Sequence, residues 1–289
     1  MKTKSYGLKP VILTLCIAAV MSIAAYPQGT DSRRAAQSND KFYIGILVSP
    51  QQTAILNDGF SSSLTATKGT SMNISADAGF FFSKFVGITF GAGLNPFSTE
   101  LSLPSYTAEK SATDDDTPPE SYVLQIEGEA ITEIQKISFL SIPVSLAFRV
   151  PAGSKFGFFV NAGVSAEIPV VKAYEGKGTF SYDGYYAQYP VTLENIPAVG
   201  FYSDLATNVP DGELQIKSFN AALAASGGFY FYLGTSIQAS LGVRYNKSLS
   251  GISDYSTGNF YLTTKANELN SMMGGCTDTG IKALGVSVG

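Results

Sequence analysis

The chain has 289 residues and a formal net charge of −4, and only 15% of its residues are charged, well below the roughly 25% of soluble domains. It holds 29 glycines, 19 phenylalanines and 16 tyrosines, but no histidine and no tryptophan. This profile suits neither a disordered chain nor an ordinary cytosolic enzyme, lacks the commonest general base and metal ligand, and speaks against nucleic acid as a partner.

Residues 1–25 read as a signal peptide. Lys2, Lys4 and Lys9 give a basic start, Val11 to Val20 an apolar centre, and Ser22-Ile23-Ala24-Ala25 small residues for cleavage. The apolar run falls short of the ~20 residues a membrane helix needs. Cys16 follows Leu15, not the small residue that precedes a lipidated cysteine. Cleavage leaves Cys276 alone, so no internal disulfide framework is expected. It also removes those lysines and moves the formal charge from −4 to −7. Residues 26–40 are polar and small and read as a flexible entry segment.

From residue 41 to 289 the pattern has a period of two, the mark of strands with two unlike faces. Eight strands are predicted. The first, Lys41 to Ser49, sets Phe42, Ile44, Ile46 and Val48 on one face. The second, Ser71 to Phe82, offers Ile74, Phe80 and Phe82, and the third, Phe85 to Pro96, sets Val86, Ile88, Phe90 and Leu94 against Gly87, Thr89, Gly91 and Gly93. The fourth, Ile137 to Val150, alternates Leu140, Ile142, Val144 and Leu146 with Ser141, Ser145 and Arg149. The fifth, Lys155 to Ile168, places Phe158, Val160 and Val164 opposite Gly157, Asn161 and Glu167. Ser218 to Leu233, Thr235 to Asn246 and Thr279 to Gly289 complete the set. No helical period follows the signal.

The connections are sorted. Ser83-Lys84, Pro151 to Ser154 and Gly234 are tight turns, whereas 50–70, 97–136, 169–217 and 247–278 are long and polar. Short and long alternate, so all turns fall at one end and all loops at the other, as in transmembrane barrels. A soluble barrel with a greasy inside would carry many Lys and Glu on its polar face; here that face carries Gly, Ser, Asn and Thr. The predicted fold is an eight-stranded antiparallel up-and-down transmembrane β-barrel, with short periplasmic turns, long extracellular loops and an interior filled by side chains.

The stretch ISFLSIPVSLAFRVPAGSKFGFFVNAGVSAEIPV, residues 137–170, resembles the PorT-like outer-membrane β-barrel proteins. Leu140, Ile142, Pro143, Val144 and Leu146 match the family's strand before a short turn, and Asn161-Ala162-Gly163 matches the strand after it. LGVRYNKSLSGI, 241–252, is similar to the penultimate strand and its loop. The resemblance covers roughly 41–289 and implies an exported barrel in a Gram-negative outer membrane, with no catalytic residues. It also implies a terminal aromatic residue, so the ending Val286-Ser287-Val288-Gly289 reads either as short by a few residues, the favoured reading, or as a weakly specified final strand.

Gly285-Val286-Ser287-Val288-Gly289 spells a hydrolase elbow, but no helix or histidine accompanies it. Asp114, Asp115, Asp116 and Glu120 match no calcium loop and read as a solvated tip. Asp77, Arg149, Glu167 and Arg244 share the interior face and read as paired charges within the lumen, a conducting or proton-relay role being the alternative, with an Asp77–Arg244 contact expected from their heights above the turns. Tyr174, Tyr182, Tyr185, Tyr186, Tyr189 and Tyr202 lie in the 169–217 stretch, where aromatic loops suit either recognition or an interfacial girdle. The sequence-based reading is a non-catalytic structural or surface-recognition barrel without cofactor or metal, with a narrow channel or export subunit as alternative. Expected partners are outer-membrane lipid and lipopolysaccharide, the barrel assembly machinery and an extracellular ligand.

Overall fold

Antiparallel strands dominate the computed structural model, which describes residues 41–115, 117–153, 155–234, 237–256 and 259–289. The signal peptide, the entry segment, Cys16 and Asp116 lie outside those residues. The strands are β1 (Phe42–Asp58), β2 (Thr65–Phe81), β3 (Val86–Thr113), β4 (Ser121–Pro151), β5 (Phe156–Tyr186), β6 (Val191–Leu193), β7 (Tyr202–Glu213), β8 (Asn220–Leu233), β9 (Ile237–Ser248) and β10 (Asp278–Val288). Eight of them pair in a ring, β1-β2-β3-β4-β5-β8-β9-β10, which β10 closes back onto β1 from Val48↔Val288 to Asp58↔Asp278. The three-residue β6 and the longer β7 pair with the upper part of β5.

The tight turns lie where the sequence puts them. Phe82 and Ser83 both donate to Val86 O, and the Ser83 hydroxyl accepts from Phe85 N and Val86 N. Ala152 N–H donates to Phe156 O, and Gly234 turns the chain at φ +88°. Above these turns the outward face carries a belt of exposed apolar side chains. Ile44 and Ile46 on β1, Leu146 on β4, Val160 on β5, Val243 on β9 and Leu284 on β10 are all more than half exposed. Inward neighbours such as Ser75, Ser141, Ser145 and Ser165 are buried. This inversion is the arrangement hydrocarbon demands. The membrane-spanning segments are therefore 42–48, 74–82, 86–94, 140–150, 156–168, 221–233, 237–245 and 284–288.

The strands do not stop at the belt, and here the expectation of long loops is corrected. The β3–β4 ladder runs without loss of pairing direction from Val86↔Phe148 to Thr113↔Ser121, and β4–β5 continues to Val123↔Tyr185. At ~3.3 Å per residue, a 31-residue strand such as β4 or β5 is roughly 100 Å long, several times what a bilayer needs. The polar stretches 97–136 and 169–186 are thus mostly strand, because their own alternation (Leu101, Leu103, Leu124 and Ile126 inward) builds a second core outside the membrane. Among the described residues, the longest stretch outside strands is in 249–277, with a short 3₁₀ turn at Met272–Gly275; 187–201 is also largely irregular.

A charge on the belt is expected to be costly. Leu146→Arg should lower stability in liposomes by ~2–4 kcal/mol, read from urea titration, whereas Thr107→Arg, exposed on the upper part of β3, should cost under ~0.5 kcal/mol.

Candidate functional site

At the level of the belt the lumen is polar and filled. Glu167 is fully buried and accepts from the Ser141 hydroxyl and from Asn246 Nδ2 at 3.1 Å. Arg244, also buried, donates through Nη1 to Asn73 Oδ1 at 2.8 Å and to Ser75 Oγ at 3.5 Å. The expected Asp77–Arg244 contact is not made: among the described residues the ion pairs within 4.0 Å are Lys136–Glu175 and Lys172–Glu213. Arg244 reaches across the lumen to β2 but meets the inward positions 73 and 75, above Asp77. Counting residues up from the turns ignores the stagger between tilted strands of a closed barrel.

Arg149 finds rings in place of a carboxylate. Its guanidinium lies 4.0 Å from the Phe81 centroid, 4.7 Å from Tyr43 and 5.7 Å from Tyr230, within reach for cation–π attraction. Two inward glycines create the space. A Cβ on Gly79 would sit 2.0 Å from the Tyr43 ring, and one on Gly157 would sit 2.4 Å from that of Tyr230. The four interior charges thus share one lumen, each held mainly by neutral neighbours.

Higher up, the lumen turns apolar. Phe97, Ile137 and Phe139 point inward, with the two phenylalanine rings edge to face at 5.8 Å. Onto them folds the segment 249–277, which buries Ile252, Leu262, Leu269, Met272 and Met273 in the barrel mouth. Polar ties fix its course. Tyr174 Oη donates to Leu269 O at 2.8 Å, Tyr182 Oη to Lys265 O at 3.1 Å, and Leu262 N–H donates to Tyr106 Oη at 3.0 Å.

The strongest tie is Glu133, 1% exposed on β4. Its carboxylate accepts from Ser271 Oγ at 2.6 Å, Met272 N–H at 2.6 Å and Gln135 Nε2 at 2.7 Å. Burial pushes this carboxyl above its ordinary value, against the pull of those three donors. Nearby, burial raises the Cys276 thiol to about 12, and the charges of Glu133 and Asp58 add to the rise. Sequence reasoning missed Glu133. Its one signal is the pattern E-x-Q at 133–135, two polar side chains on the inward parity between Ile131 and Ile137.

The six tyrosines are divided by this core. Tyr174, Tyr182 and Tyr186 are buried and present no exposed surface: the first two hold segment 249–277, and Tyr186 Oη donates to Asp114 Oδ2 at 3.2 Å. Tyr185 and Tyr202 are half-buried, and Tyr189 is 58% exposed. Around Tyr189 the tip of the head also exposes Val191, Ile196 and Val199. Next to it, a cleft of about 340 Å³ is lined by Ser111, Thr113, Tyr122, Tyr185 and Gln188, among others. Asp114 caps the β3–β4 hairpin by accepting from Glu120 N–H at 2.8 Å. No group of three potential metal ligands forms among the described residues.

Ring closure, the apolar belt and the filled polar lumen define the class: a small transmembrane β-barrel, here with a β-structured head. No protein-family model and no curated protein matches the chain. Among solved structures it is similar to the outer membrane protein OprG from Pseudomonas aeruginosa, with 12% identity, TM-score 0.34, and coverage of 86% of this chain and 93% of that one. It is also similar to Ail, the attachment invasion locus protein of Yersinia pestis, solved in complex with the heparin analogue sucrose octasulfate. That likeness has 10% identity, TM-score 0.30, and coverage of 85% and 95%. The class therefore rests on this chain's own geometry.

Glu133→Ala should release segment 249–277, at a cost on the order of 3 kcal/mol, and maleimide labelling of Cys276 at neutral pH should accelerate. Because the folded carboxyl titrates above its unfolded value, its contribution to stability is complete below the ordinary carboxylate range. That contribution is lost as pH rises through the raised value. The unfolding midpoint should accordingly fall from mildly acid to neutral pH, and this slope should weaken in Glu133→Gln.

Proposed function

We propose that this protein is a non-conducting outer-membrane anchor that carries a surface-recognition head. The observation that carries the reading is the combination of a closed mouth with a strand-built head. Segment 249–277 fills the lumen above the belt, while β3, β4 and β5 continue outward to a tip that exposes Tyr189, Val191, Ile196 and Val199. An apolar and aromatic tip on a rigid support gives contact area at low entropy cost. The resemblance to PorT-like barrels, the signal-peptide reading and the sorted turns support placing the head outside a Gram-negative cell, after export and insertion by the barrel assembly machinery. Outer-membrane lipid and lipopolysaccharide then surround the belt, and the head meets an extracellular ligand. Catalysis and cofactors form no part of the proposal.

One observation favours the transport alternative. Asp77 Oδ1 and Asn246 Oδ1 are buried in the polar lumen without a protein hydrogen bond, the kind of lining an aqueous path would use. The two readings separate in planar bilayers. The intact protein should show no steady conductance, and a variant lacking 259–272 should show small openings if the plug alone closes the lumen. Steady ion conductance by the intact protein would overturn the anchor reading.

A further inference from the structure

On the outer wall, β9 and β10 place two lysines directly opposite each other. Lys282 and Lys247 are register partners, and both side chains are exposed on the outward face. Like charges paired across a ladder repel, and their Cβ atoms stand only ~5 Å apart. Three lysines elsewhere on the chain are answered by the protein. Lys136 pairs with Glu175, Lys172 with Glu213 at 2.8 Å, and Lys217 Nζ donates to Gly251 O at 2.8 Å.

Lys247 and Lys282 have no such answer among the described residues. Neither forms an ion pair or a hydrogen bond, and Lys282 has only the face of the Tyr245 ring, 5.9 Å from its Nζ. The next acid up the same face of β10 is Asp278, four residues and ~13 Å away along the strand. The next outward rung below the pair is Tyr245 opposite Leu284, and Val243 lies one rung lower on β9; Val243 and Leu284 are both about half exposed on the belt. Tyr245, half-buried, has the amphipathic ring typical of a membrane interface.

We propose that Lys247 and Lys282 bind the phosphate of an anionic lipid in the head-side leaflet, whose acyl chains lie along Val243 and Leu284. The inference rests on the membrane reading of the belt. Two lysines paired across the ladder, at the upper edge of an apolar wall, fit a headgroup whose tails are already in place. A free phosphate would lack the apolar half of that match. Lipid phosphate also removes the repulsion that the ladder would otherwise have to bear.

The test uses the full mature chain folded in detergent micelles, with bisphosphorylated lipid A as probe. Retention is measured by native mass spectrometry and by the shift in Tm. The parent protein should retain lipid A ~30-fold more than Lys247→Gln/Lys282→Gln. The double arginine variant should retain it like the parent, and a phosphate-free form of the lipid should bind both proteins alike. Without anionic lipid, the glutamine variant should melt no lower than the parent. Equal retention by the glutamine variant would overturn the proposal, as would displacement of lipid A by millimolar inorganic phosphate, which would make the pair a free-ion site. A heat-modifiable gel shift on both proteins tests the barrel separately, so a failed lipid site and a failed membrane reading give different results.

Discussion

Everything in this molecule follows from the cost of an unpaired backbone amide in hydrocarbon. A strand can cross a bilayer only if both of its edges are satisfied, and the sole way to do that without a free edge is a closed ring. The β1–β10 ladder meets the requirement: it joins the first strand to the last over most of their length. Once the ring is closed the side chains have two solvents, lipid outside and each other inside. The wall is then apolar outward and small or polar inward, and the charges that remain inside need partners. Arg149 against three aromatic rings, and Glu167 against Ser141 and Asn246, are the local solutions.

The lumen changes character along its axis, and this gives the molecule its second core. Level with the lipid, the interior is a polar network; above it, the same inward positions carry Phe97, Ile137 and Phe139. The ring alone cannot cover those side chains, so segment 249–277 does. Its buried methionines and leucines supply the apolar contact, and Glu133 with Ser271 and the Met272 amide supplies the fixed point. The protein is a membrane barrel whose upper half is organised like a soluble domain.

Much of this was legible in the sequence, and the parts that were not share a cause. The belt, the ring of eight and the tight turns are read from strict alternation, because lipid and lumen impose opposite chemistry on neighbouring residues. The stretch ISFLSIPV, 137–144, breaks that alternation with apolar residues on both parities. Read with its neighbours, it marks the height where lipid outside meets the plug inside, but alone it looks like one more spanning strand. The upper strands look like loops in the sequence because water tolerates polar side chains on extended backbone as readily as on coil. Tyr174 and Tyr182 look exposed in the sequence for the same reason: an aromatic residue among glycines and serines gives no sign of which long-range segment will cover it. The Asp77–Arg244 pairing failed on stagger, a property of the closed ring that no single strand encodes.

The continuous ladders have a mechanical meaning. A ligand bound at the tip of the head would pull along β4 and β5, whose interstrand hydrogen bonds lie across the strand direction. Such a load shears many bonds at once, whereas a flexible loop would simply straighten. Tension at the tip would therefore pass into the membrane wall as one stiff element.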